Sequence, residues 1–330
     1  MKVVITGGTG FIGLMLARRL LARGQLVGPS GQAEPIDEMI LFDQVAPPTR
    51  PEGLDDRVSI VAGDISDRDT VFGLIDRDDI AVFHLASVVS GGGEKDFDLA
   101  MRVNLDGGLH VLEAVRARAG LAKLLFTSSI AIFGGDALPA HVGDNTKPNP
   151  QTTYGMTKFI GEMMINDYSR KGFLDGRTAR LPTVIIRPGK PNAAASSFAS
   201  GVLREPLNGE ECILPVGRDT IMASLGHRNV IEGIIQLMEL DAAKLGTDRA
   251  VGLPSRSYMV AEMIAAMEGV AAARGISLGA IVDRPDPVIE AIVAGWPTAT
   301  DNERALALGL PLDSGLGEII ENFIDDFMST

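Results

Sequence analysis

The sequence predicts an α/β fold in which a doubly wound parallel sheet is followed by a smaller, mostly helical C-terminal substrate lobe. Two observations predict it. Short apolar runs rich in β-branched residues alternate with helical patterns through the first half of the chain, and a glycine-rich segment, Thr6-Gly7-Gly8-Thr9-Gly10-Phe11-Ile12-Gly13, joins the first run to the first helix. Continuous apolar strands are buried on both faces, which is typical of a parallel sheet between two layers of helices.

The individual elements are predicted from these patterns in chain order. Strands are predicted at 3–5, 39–42, 58–61, 81–85, 124–126 and 183–186, and helices at 11–23, 98–119, 153–171 and 230–240. Gly24 and Gly120 are positioned to end the first two helices. The stretch 24–35, rich in Gly, Pro, Ser and Gln, is predicted to be a loop insertion, and 250–253 to be a last strand of the sheet.

The domain organisation is predicted from a change of character near residue 188. Beyond it, prolines interrupt a stretch rich in Gly, Ala and Ser, and from residue 260 onwards the pattern indicates mostly helices and turns. The dinucleotide-binding domain is therefore predicted to comprise 1–188 and about 226–255. The substrate lobe would comprise 189–225 and 256–330.

Composition and charge exclude several classes of function. The 330 residues include 30 Lys plus Arg and 43 Asp plus Glu, a net charge of −13, which disfavours binding to nucleic acid phosphates. The single cysteine, Cys212, allows no internal disulfide, and the histidines lack metal-ligand spacing, so no metal site is expected. No apolar run reaches the ~20 residues that span a bilayer, and the N-terminus lacks a signal-peptide pattern. We expect a cytoplasmic protein that does not contact membranes.

The glycine-rich segment predicts a dinucleotide site. Gly7, Gly10 and Gly13 are three positions apart between a strand and a helix, where one glycine allows the tight turn and another the close approach of a pyrophosphate. The third allows close packing of helix and sheet. The amides that open the helix at Phe11 and Ile12 can hold the negative charge. The alternative is a purely structural turn.

Acidic residues at two strand ends predict which dinucleotide binds. Asp43 ends the second predicted strand of the sheet, where a carboxylate accepts hydrogen bonds from the adenosine ribose and repels a 2′-phosphate, so NAD is favoured over NADP. It lies 30 positions after Gly13, where about 20 is usual. A capping or surface aspartate is the alternative. Asp64 and Ile65, after the third strand, are predicted to flank the adenine.

A tyrosine and a lysine predict the catalytic chemistry. Tyr154 and Lys158 are four positions apart on a predicted helix and therefore share one face. A free tyrosine ionises near pH 10, and a neighbouring ammonium group favours the phenolate, which can then act as a base nearer neutral pH. The hydroxyls of Thr127, Ser128 and Ser129 lie at the predicted end of a strand, where one of them can hold the substrate oxygen.

These residues together resemble the extended short-chain dehydrogenase/reductase superfamily, whose members have a Rossmann fold. The ordered motifs are T-G-G-T-G-F-I-G, A-G-D-I, H-L-A-S, V-N-L-D-G, F-T-S-S-I-A-I-F-G and Y-G-M-T-K. The resemblance implies that Tyr154 is the general base, that Lys158 is its partner and that Ser129 is the catalytic serine, with Ser128 as its rival. It further implies a cofactor site that includes Leu85, Ala86, Ser87, Asn104 and Pro188. It also implies a homodimer or higher homo-oligomer.

Further runs resemble the D-erythronate dehydrogenase family, which oxidises C2 of a four-carbon sugar acid with NAD. They are A-S-V-V-S-G, N-D-Y-S-R-K-G-F-L-D-G-R, L-P-T-V-I-I-R-P-G-K-P-N-A-A-A-S-S-F-A-S-G and G-W-P. This resemblance implies a small sugar-acid substrate. Its oxygens would be bound by Ser87, Ser129, Tyr154 and Asn192, with Ser90 and Ser196 as further candidates. Arg187 and Lys190 are candidates for its carboxylate, because a buried carboxylate needs a cationic or amide partner.

Three other functions stay open. A nucleotide-sugar epimerase or dehydratase would use the same three residues with tightly bound NAD. However, the chain lacks the aromatic-Asn-x-x-Gly-Pro segment usual in such enzymes, and only 5% of its residues are aromatic. A non-catalytic dinucleotide sensor would not need the Tyr154–Lys158 pair. A scaffold without a ligand would leave the glycine-rich segment unexplained.

Overall fold

The structure, a computed structural model, describes residues 1–190 and 196–328. Its elements in chain order are β1 (Lys2–Thr6), α1 (Phe11–Arg23), β2 (Gln25–Val27), β3 (Ala33–Pro35), β4 (Glu38–Asp43), β5 (Val58–Ala62), α2 (Arg68–Leu74), β6 (Ile80–His84), α3 (Ser90–Lys95), α4 (Phe97–Ala100), α5 (Gly107–Arg116), β7 (Lys123–Ser129), α6 (Thr153–Arg170), β8 (Asp175–Leu181), β9 (Thr183–Ile185), α7 (Ser197–Leu207), β10 (Cys212–Leu214), β11 (Ile221–Gly226), α8 (His227–Glu239), α9 (Ala242–Leu245), β12 (Ala250–Gly252), β13 (Arg256–Met259), α10 (Val260–Arg274), β14 (Ile281–Asp283), α11 (Pro287–Ala294), α12 (Glu303–Ala307) and α13 (Leu316–Phe327). A π-helical turn, Met101–Asp106, joins α4 to α5.

The chain divides into two compact units. The first comprises Met1–Ser129, Thr152–Arg180 and Gly233–Val251, and the second comprises Ile130–Gln151, Leu181–Glu232 and the chain from Gly252 onwards. The sequence assigned 130–151 and 181–188 to the dinucleotide-binding domain, whereas these segments pack in the second unit.

The first unit is built on the predicted doubly wound parallel sheet. Its strand order is β12-β8-β7-β6-β1-β4-β5, and β1 runs parallel to both neighbours, β4 and β6. Both β1 and β6 are buried along their whole length, as their apolar runs predict. After β1 the chain adds strands on one side of it and then, from β6, on the other. The carboxyl ends of β1, β4 and β6 therefore meet at the switch point where open α/β sheets bind ligands.

The strand next to β7 was missed, and the strand predicted at 183–186 was placed in the wrong sheet. The sheet contains β8, whereas β9 pairs with β11 in a separate sheet of the second unit. Strand β8 could not be predicted from an apolar run because Arg177 and Arg180 interrupt it. Arg177 is fully buried but donates to the carbonyl of Leu240 at 3.1 Å, and Arg180 pairs with Glu162. Buried charges of this kind persist only when they are paired and hydrogen-bonded.

The predicted loop insertion at 24–35 is in fact a β-hairpin. Gly24 ends α1 in the left-handed conformation, as expected, with φ of 69°. Strand β2 then pairs antiparallel with β3. The turn residues between the two strands, with Gly31 at φ of 75°, gave the segment the composition of a loop.

The second unit combines helices with two small sheets. Strands β13, β11 and β9 form one sheet, and β10 pairs with β14 in another. Its apolar core is formed largely by α7, α10 and α13, with buried residues that include Leu203, Met263, Phe323 and Ile319. The mostly helical C-terminal region was predicted, and the two small sheets were not.

Candidate active site

The loop after β1 has the backbone geometry that a bound dinucleotide requires. Gly7 has φ of +70°, a conformation that side chains disfavour, and α1 begins directly afterwards at Phe11. The N-cap residue of this helix is Gly10, which offers no side-chain cap. A helix start without a capping side chain can take the oxygens of a phosphate in its place.

Steric limits explain why glycine occupies positions 7, 8 and 13. A Cβ at Gly7 would lie 2.9 Å from the amide nitrogen of Ala86, and a Cβ at Gly8 would lie 2.6 Å from the carbonyl oxygen of Ile5. A Cβ at Gly13 would collide with the carbonyl of Gly7. In each case the neighbour is backbone and cannot move aside. The loop can therefore pack directly against the neighbouring backbone only because these positions carry no side chain.

The mutation Gly8→Ala is expected to destabilise the protein by about 1–3 kcal/mol or more and to weaken dinucleotide binding. Overpacking against rigid atoms has this cost, and the added methyl group would also lie 2.7 Å from the Cα atom of Leu41. Urea unfolding and calorimetric titration with NAD measure the two effects. Gly73→Ala is the matched control, because an added Cβ meets nothing within 4 Å there and Ala is the better helix former. Equal behaviour of the two variants would contradict the steric account.

A cavity of about 320 Å³ lies at the carboxyl ends of β1, β4, β5 and β6. Of the residues predicted for the cofactor, the following line it: Gly7, Gly10, Asp43, Asp64, Ile65, Leu85, Ala86 and Ser87. Sequence reasoning missed further lining residues, namely Phe42, Gln44, Gly63, Val88, Leu99 and Val103. Most of these residues directly precede or follow a predicted one in the sequence, so they could have been predicted from that adjacency.

The polar groups of this cavity fit the adenosine half of a dinucleotide. The carboxylate of Asp43 is oriented by Thr9, whose N–H and Oγ1 donate to Oδ2 at 3.1 and 2.8 Å, and by the N–H of Gln44. Hydrogen bonds from Ser66 lower the pKa of Asp64. Among the described residues that line the cavity none is Lys or Arg. The site therefore suits neutral ribose hydroxyls better than an additional phosphate.

Lys158 is buried and held in a fixed position. Helix α6 begins at Thr153, with Thr152 as its side-chain cap, and places Lys158 on the buried face. Lys158 Nζ donates to the carbonyl of Thr127 at 2.8 Å and lies 5.5 Å from the centroid of the Tyr154 ring. The predicted juxtaposition of phenol and ammonium is thus present. Burial lowers the pKa of Lys158 to about 7.

The two candidate serines at the end of β7 have different surroundings. Ser128 is 1% exposed. It lies near Glu162 on α6, whose pKa is raised by burial, an effect that Arg180 opposes. Ser129, the last residue of the strand, is half-buried. Successive side chains of a strand point to opposite faces. The structure therefore favours Ser129 as the serine that a substrate can reach.

Asn104 lies in the π-helical turn and holds the segment after β6. Its Oδ1 accepts the N–H of Val88 at 2.8 Å, and its Nδ2 donates to the carbonyl of Val88 and to the hydroxyl of Thr157 on α6. A π-helical turn inside an α-helix is frequent at functional sites. Asn104 connects a wall of the cavity to the helix of Tyr154 and Lys158 and does not itself line the cavity.

Comparison with known proteins identifies the family. Residues 3–252 match the NAD dependent epimerase/dehydratase family. The chain belongs to this family. It is 48% identical to the D-erythronate dehydrogenase of Cupriavidus necator over 331 residues, covering 99% of this chain and 98% of that protein. It is 40% identical to the D-erythronate dehydrogenase of Haemophilus influenzae, covering 98% and 99%.

A solved structure of the family has the same fold. It is described as the nucleoside-diphosphate-sugar epimerase from Agrobacterium tumefaciens, is 36% identical and has a TM-score of 0.90, covering 99% of this chain and 94% of its own. The predicted Rossmann fold and the resemblance to D-erythronate dehydrogenases are both confirmed. Membership of this epimerase/dehydratase family implies a nicotinamide cofactor, and the glycine loop and the cavity fit one.

The remaining residues predicted to bind substrate or cofactor lie in the second unit or outside the described residues. The guanidinium of Arg187 donates to the hydroxyl of Ser196 at 3.2 Å, and the N–H of Arg187 donates to Ser200 Oγ at 3.1 Å. Pro188 follows it, and Lys190 is exposed. Asn192 lies outside the described residues.

Within residues 1–190 and 196–328, no three His, Cys, Asp or Glu side chains are grouped so that they could hold a metal ion. No helix in this part of the chain combines the length and apolarity needed to cross a membrane.

Proposed function

We propose that the protein is an NAD-dependent dehydrogenase that oxidises the C2 hydroxyl of D-erythronate to give 2-dehydro-D-erythronate. The observation that carries this proposal is the identity of 48% and 40%, over almost the full length, with two D-erythronate dehydrogenases. This identity includes the variable C-terminal part, where members of one fold differ in substrate. The buried Lys158 beside Tyr154 supports the same reaction class.

The proposed mechanism assigns one role to each of three side chains. The phenolate of Tyr154 accepts the proton of the C2 hydroxyl and becomes a phenol. The hydroxyl of Ser129 donates a hydrogen bond to the same substrate oxygen and so holds it against the tyrosine. The ammonium group of Lys158 favours the phenolate through its charge. NAD, when bound, supplies the acceptor for the hydride that leaves C2, which makes the product a 2-keto acid.

NAD is the proposed dinucleotide, and its adenosine half is assigned to the cavity in the first unit. Asp43 and Asp64 would bind ribose and adenine, and the loop from Gly7 to Gly13 would hold the pyrophosphate. Phe11 and Ile12 would contribute amides, and Leu85, Ala86 and Ser87 would form a wall beside the cofactor. Asn104 supports this wall through Val88. Pro188 stays a predicted contact of the cofactor.

Arg187 and Lys190 stay the predicted candidates for the substrate carboxylate. Arg187 is the stronger candidate of the two, because Ser196 and Ser200 hold its guanidinium and its amide, whereas Lys190 is exposed. A planar guanidinium binds a carboxylate through two parallel hydrogen bonds. Asn192 and Ser87 are proposed for the substrate hydroxyls. A homodimer or higher homo-oligomer and a cytoplasmic location also stay predictions.

The mutation Asp43→Asn is expected to lower the ratio of kcat/KM with NAD to kcat/KM with NADP by about 10- to 100-fold. The substitution removes the charged carboxylate, held in place by Thr9, that accepts hydrogen bonds from the ribose. Hydrogen bonds to charged groups contribute about 1.5–3 kcal/mol. Repulsion of the 2′-phosphate is lost as well. Steady-state kinetics with both dinucleotides measure the ratio. Asp69→Asn, at an exposed position on α2, is the control and should leave the ratio unchanged. An unchanged ratio in Asp43→Asn would show that Asp43 does not bind the adenosine ribose.

A nucleotide-sugar epimerase is the second candidate, and one observation favours it. The solved structure with a TM-score of 0.90 carries that description. Its identity of 36% is lower than that of either dehydrogenase. Such an enzyme would return the hydride to the sugar, so it would release no reduced cofactor. The two candidates therefore differ in net NADH formation.

A substrate screen tests the proposed function. Purified protein is incubated with NAD and, separately, with D-erythronate, L-erythronate, D-threonate and UDP-glucose, and NADH absorbance is followed. The proposal predicts the highest kcat/KM with D-erythronate and no NADH from UDP-glucose. Turnover of another aldonate with D-erythronate inactive would reassign the substrate. Saturable binding of UDP-glucose without net NADH formation would favour the epimerase.

A further inference from the structure

His84 is a buried histidine for which the proposed mechanism has no role. It ends β6 and is 3% exposed. In the register of the parallel sheet it lies between Thr6 on β1 and Phe126 on β7. Residues in register on neighbouring strands point to the same face of a sheet. Thr6, His84 and Phe126 therefore form one row of side chains across the centre of the sheet.

One end of this row reaches the glycine loop. Thr6 Oγ1 and His84 Nδ1 are 2.7 Å apart and hydrogen-bonded. The same threonine oxygen accepts the N–H of Ala86 at 3.3 Å. Thr6 directly precedes Gly7, whose closest neighbour is again Ala86. The histidine thus supports the position at which the loop leaves β1 and meets a wall of the cofactor cavity.

The other end of the row reaches Lys158. The ring of His84 stacks on Phe126, with 5.5 Å between centroids and 29° between planes. Lys158 Nζ lies 4.7 Å from the centroid of Phe126, a cation–π distance. On the helix side, a Cβ at Gly161 would lie only 2.6 Å from this ring. Phe126 is therefore held between His84 and α6, and Lys158 rests on it.

His84 is buried as a neutral ring. Burial, together with the charge of Lys158, lowers the pKa of His84 to about 3, so the ring is neutral at any working pH. Its Nε2 has no hydrogen-bond partner among the described residues. It borders a small internal cavity of about 10 Å³ with Asn104 and Gly108.

We propose that His84 is a positioning residue with two separable functions. Its hydrogen bond to Thr6 holds the glycine loop for the phosphates of the cofactor, and its stack on Phe126 holds Lys158 beside Tyr154. The proposal rests on the proposed NAD-dependent oxidation. It assigns the two functions to different atoms of one side chain, so that two substitutions can separate them.

His84→Phe keeps a ring on Phe126 and removes the hydrogen bond to Thr6, whereas His84→Asn keeps a polar atom at the place of Nδ1 and removes the ring. For His84→Phe we expect the Kd for NAD, measured by calorimetry, to rise about fivefold, the effect of one neutral hydrogen bond, with a smaller change in kcat. For His84→Asn we expect kcat to fall about tenfold, with a smaller change in Kd. Thr6→Val also removes the acceptor of the Ala86 N–H, so it should weaken NAD binding at least as much as His84→Phe, and the double variant should be no weaker than Thr6→Val alone.

The outcomes decide the proposal in each case. Parallel changes of Kd and kcat in both His84 variants, at a lower thermal midpoint, would show a merely structural residue and overturn it, as would no change in either. If the wild-type protein binds NAD but does not oxidise D-erythronate, the proposed substrate fails on its own. The Kd values then decide the role of His84, because His84→Phe and Thr6→Val must weaken binding more than His84→Asn. If the His84 variants do not fold, Thr6→Val alone must weaken NAD binding.

Discussion

Replacing Tyr154 with phenylalanine is expected to lower kcat for D-erythronate oxidation by about 10²- to 10⁴-fold, the range that a positioned acid or base contributes. The ring and its contact with Lys158 are retained, and only the proton acceptor is removed. Steady-state kinetics measure kcat, and calorimetry measures the Kd for NAD, which should change by less than about fivefold. A loss confined to kcat would place the phenol oxygen in the chemical step.

A matched control comes from the same helix. Tyr168 also lies on α6 and its hydroxyl contacts Glu113. Tyr168→Phe should leave kcat within about twofold of the wild-type value. If Tyr154→Phe kept more than about a tenth of wild-type kcat, the proton would have to leave through another group, and the assignment of Tyr154 would be wrong.

Replacing Lys158 with methionine is expected to abolish most of the activity and, at neutral pH, to stabilise the fold. The lysine is 3% exposed, and burial lowers its pKa from an ordinary value of 10.5 to about 7. In the unfolded chain the pKa returns to its ordinary value. At any pH below that value unfolding lets the lysine bind a proton more favourably, so the lysine lowers the free energy of unfolding. We expect a gain on the order of 3 kcal/mol in the free energy of unfolding at pH 7.

The pH dependence of this gain has a definite sign. Between pH 7 and about 10.5 the unfolded state binds more protons at this site than the folded state does, so the wild-type protein gains stability as the pH rises. The advantage of Lys158→Met is therefore largest at or below pH 7 and declines towards pH 10. Urea unfolding at pH 7 and at pH 9.5 measures it. Lys171→Met, an exposed change at the end of the same helix, is the control and should show no such trend.

The cofactor loop and the tyrosine–lysine pair could be predicted because both are local in sequence. Close approach of backbone to backbone requires glycine, so the tight packing at Gly7 and Gly13 could be predicted from residue type and spacing alone. Positions four apart on a helix share a face without any knowledge of the fold, which placed Tyr154 beside Lys158. Apolar runs likewise predicted β1 and the other central strands.

The parts that were missed depend on partners distant in sequence. Strand β8 carries two buried arginines. Arg180 pairs with Glu162, which lies 18 positions away on α6. Arg177 pairs with Asp175 on the same strand and also donates to the carbonyl of Leu240, which lies 63 positions away. The orientation of Asp43 by Thr9 spans 34 positions. The resemblance already preferred Ser129 over Ser128, but their difference in exposure comes from packing and has no signal in the sequence. Hydrophobic periodicity contains none of this information.

The most direct test of the proposed reaction follows the hydrogen on C2. D-erythronate that carries deuterium at C2 is incubated with the protein and NAD, and both products are examined by mass spectrometry. We expect deuterium in the reduced cofactor and a 2-keto acid without it, in equal amounts, with both formed about 10²- to 10⁴-fold more slowly by Tyr154→Phe. Deuterium that stays in the sugar acid, or an oxidised product that retains it at C2, would contradict the account.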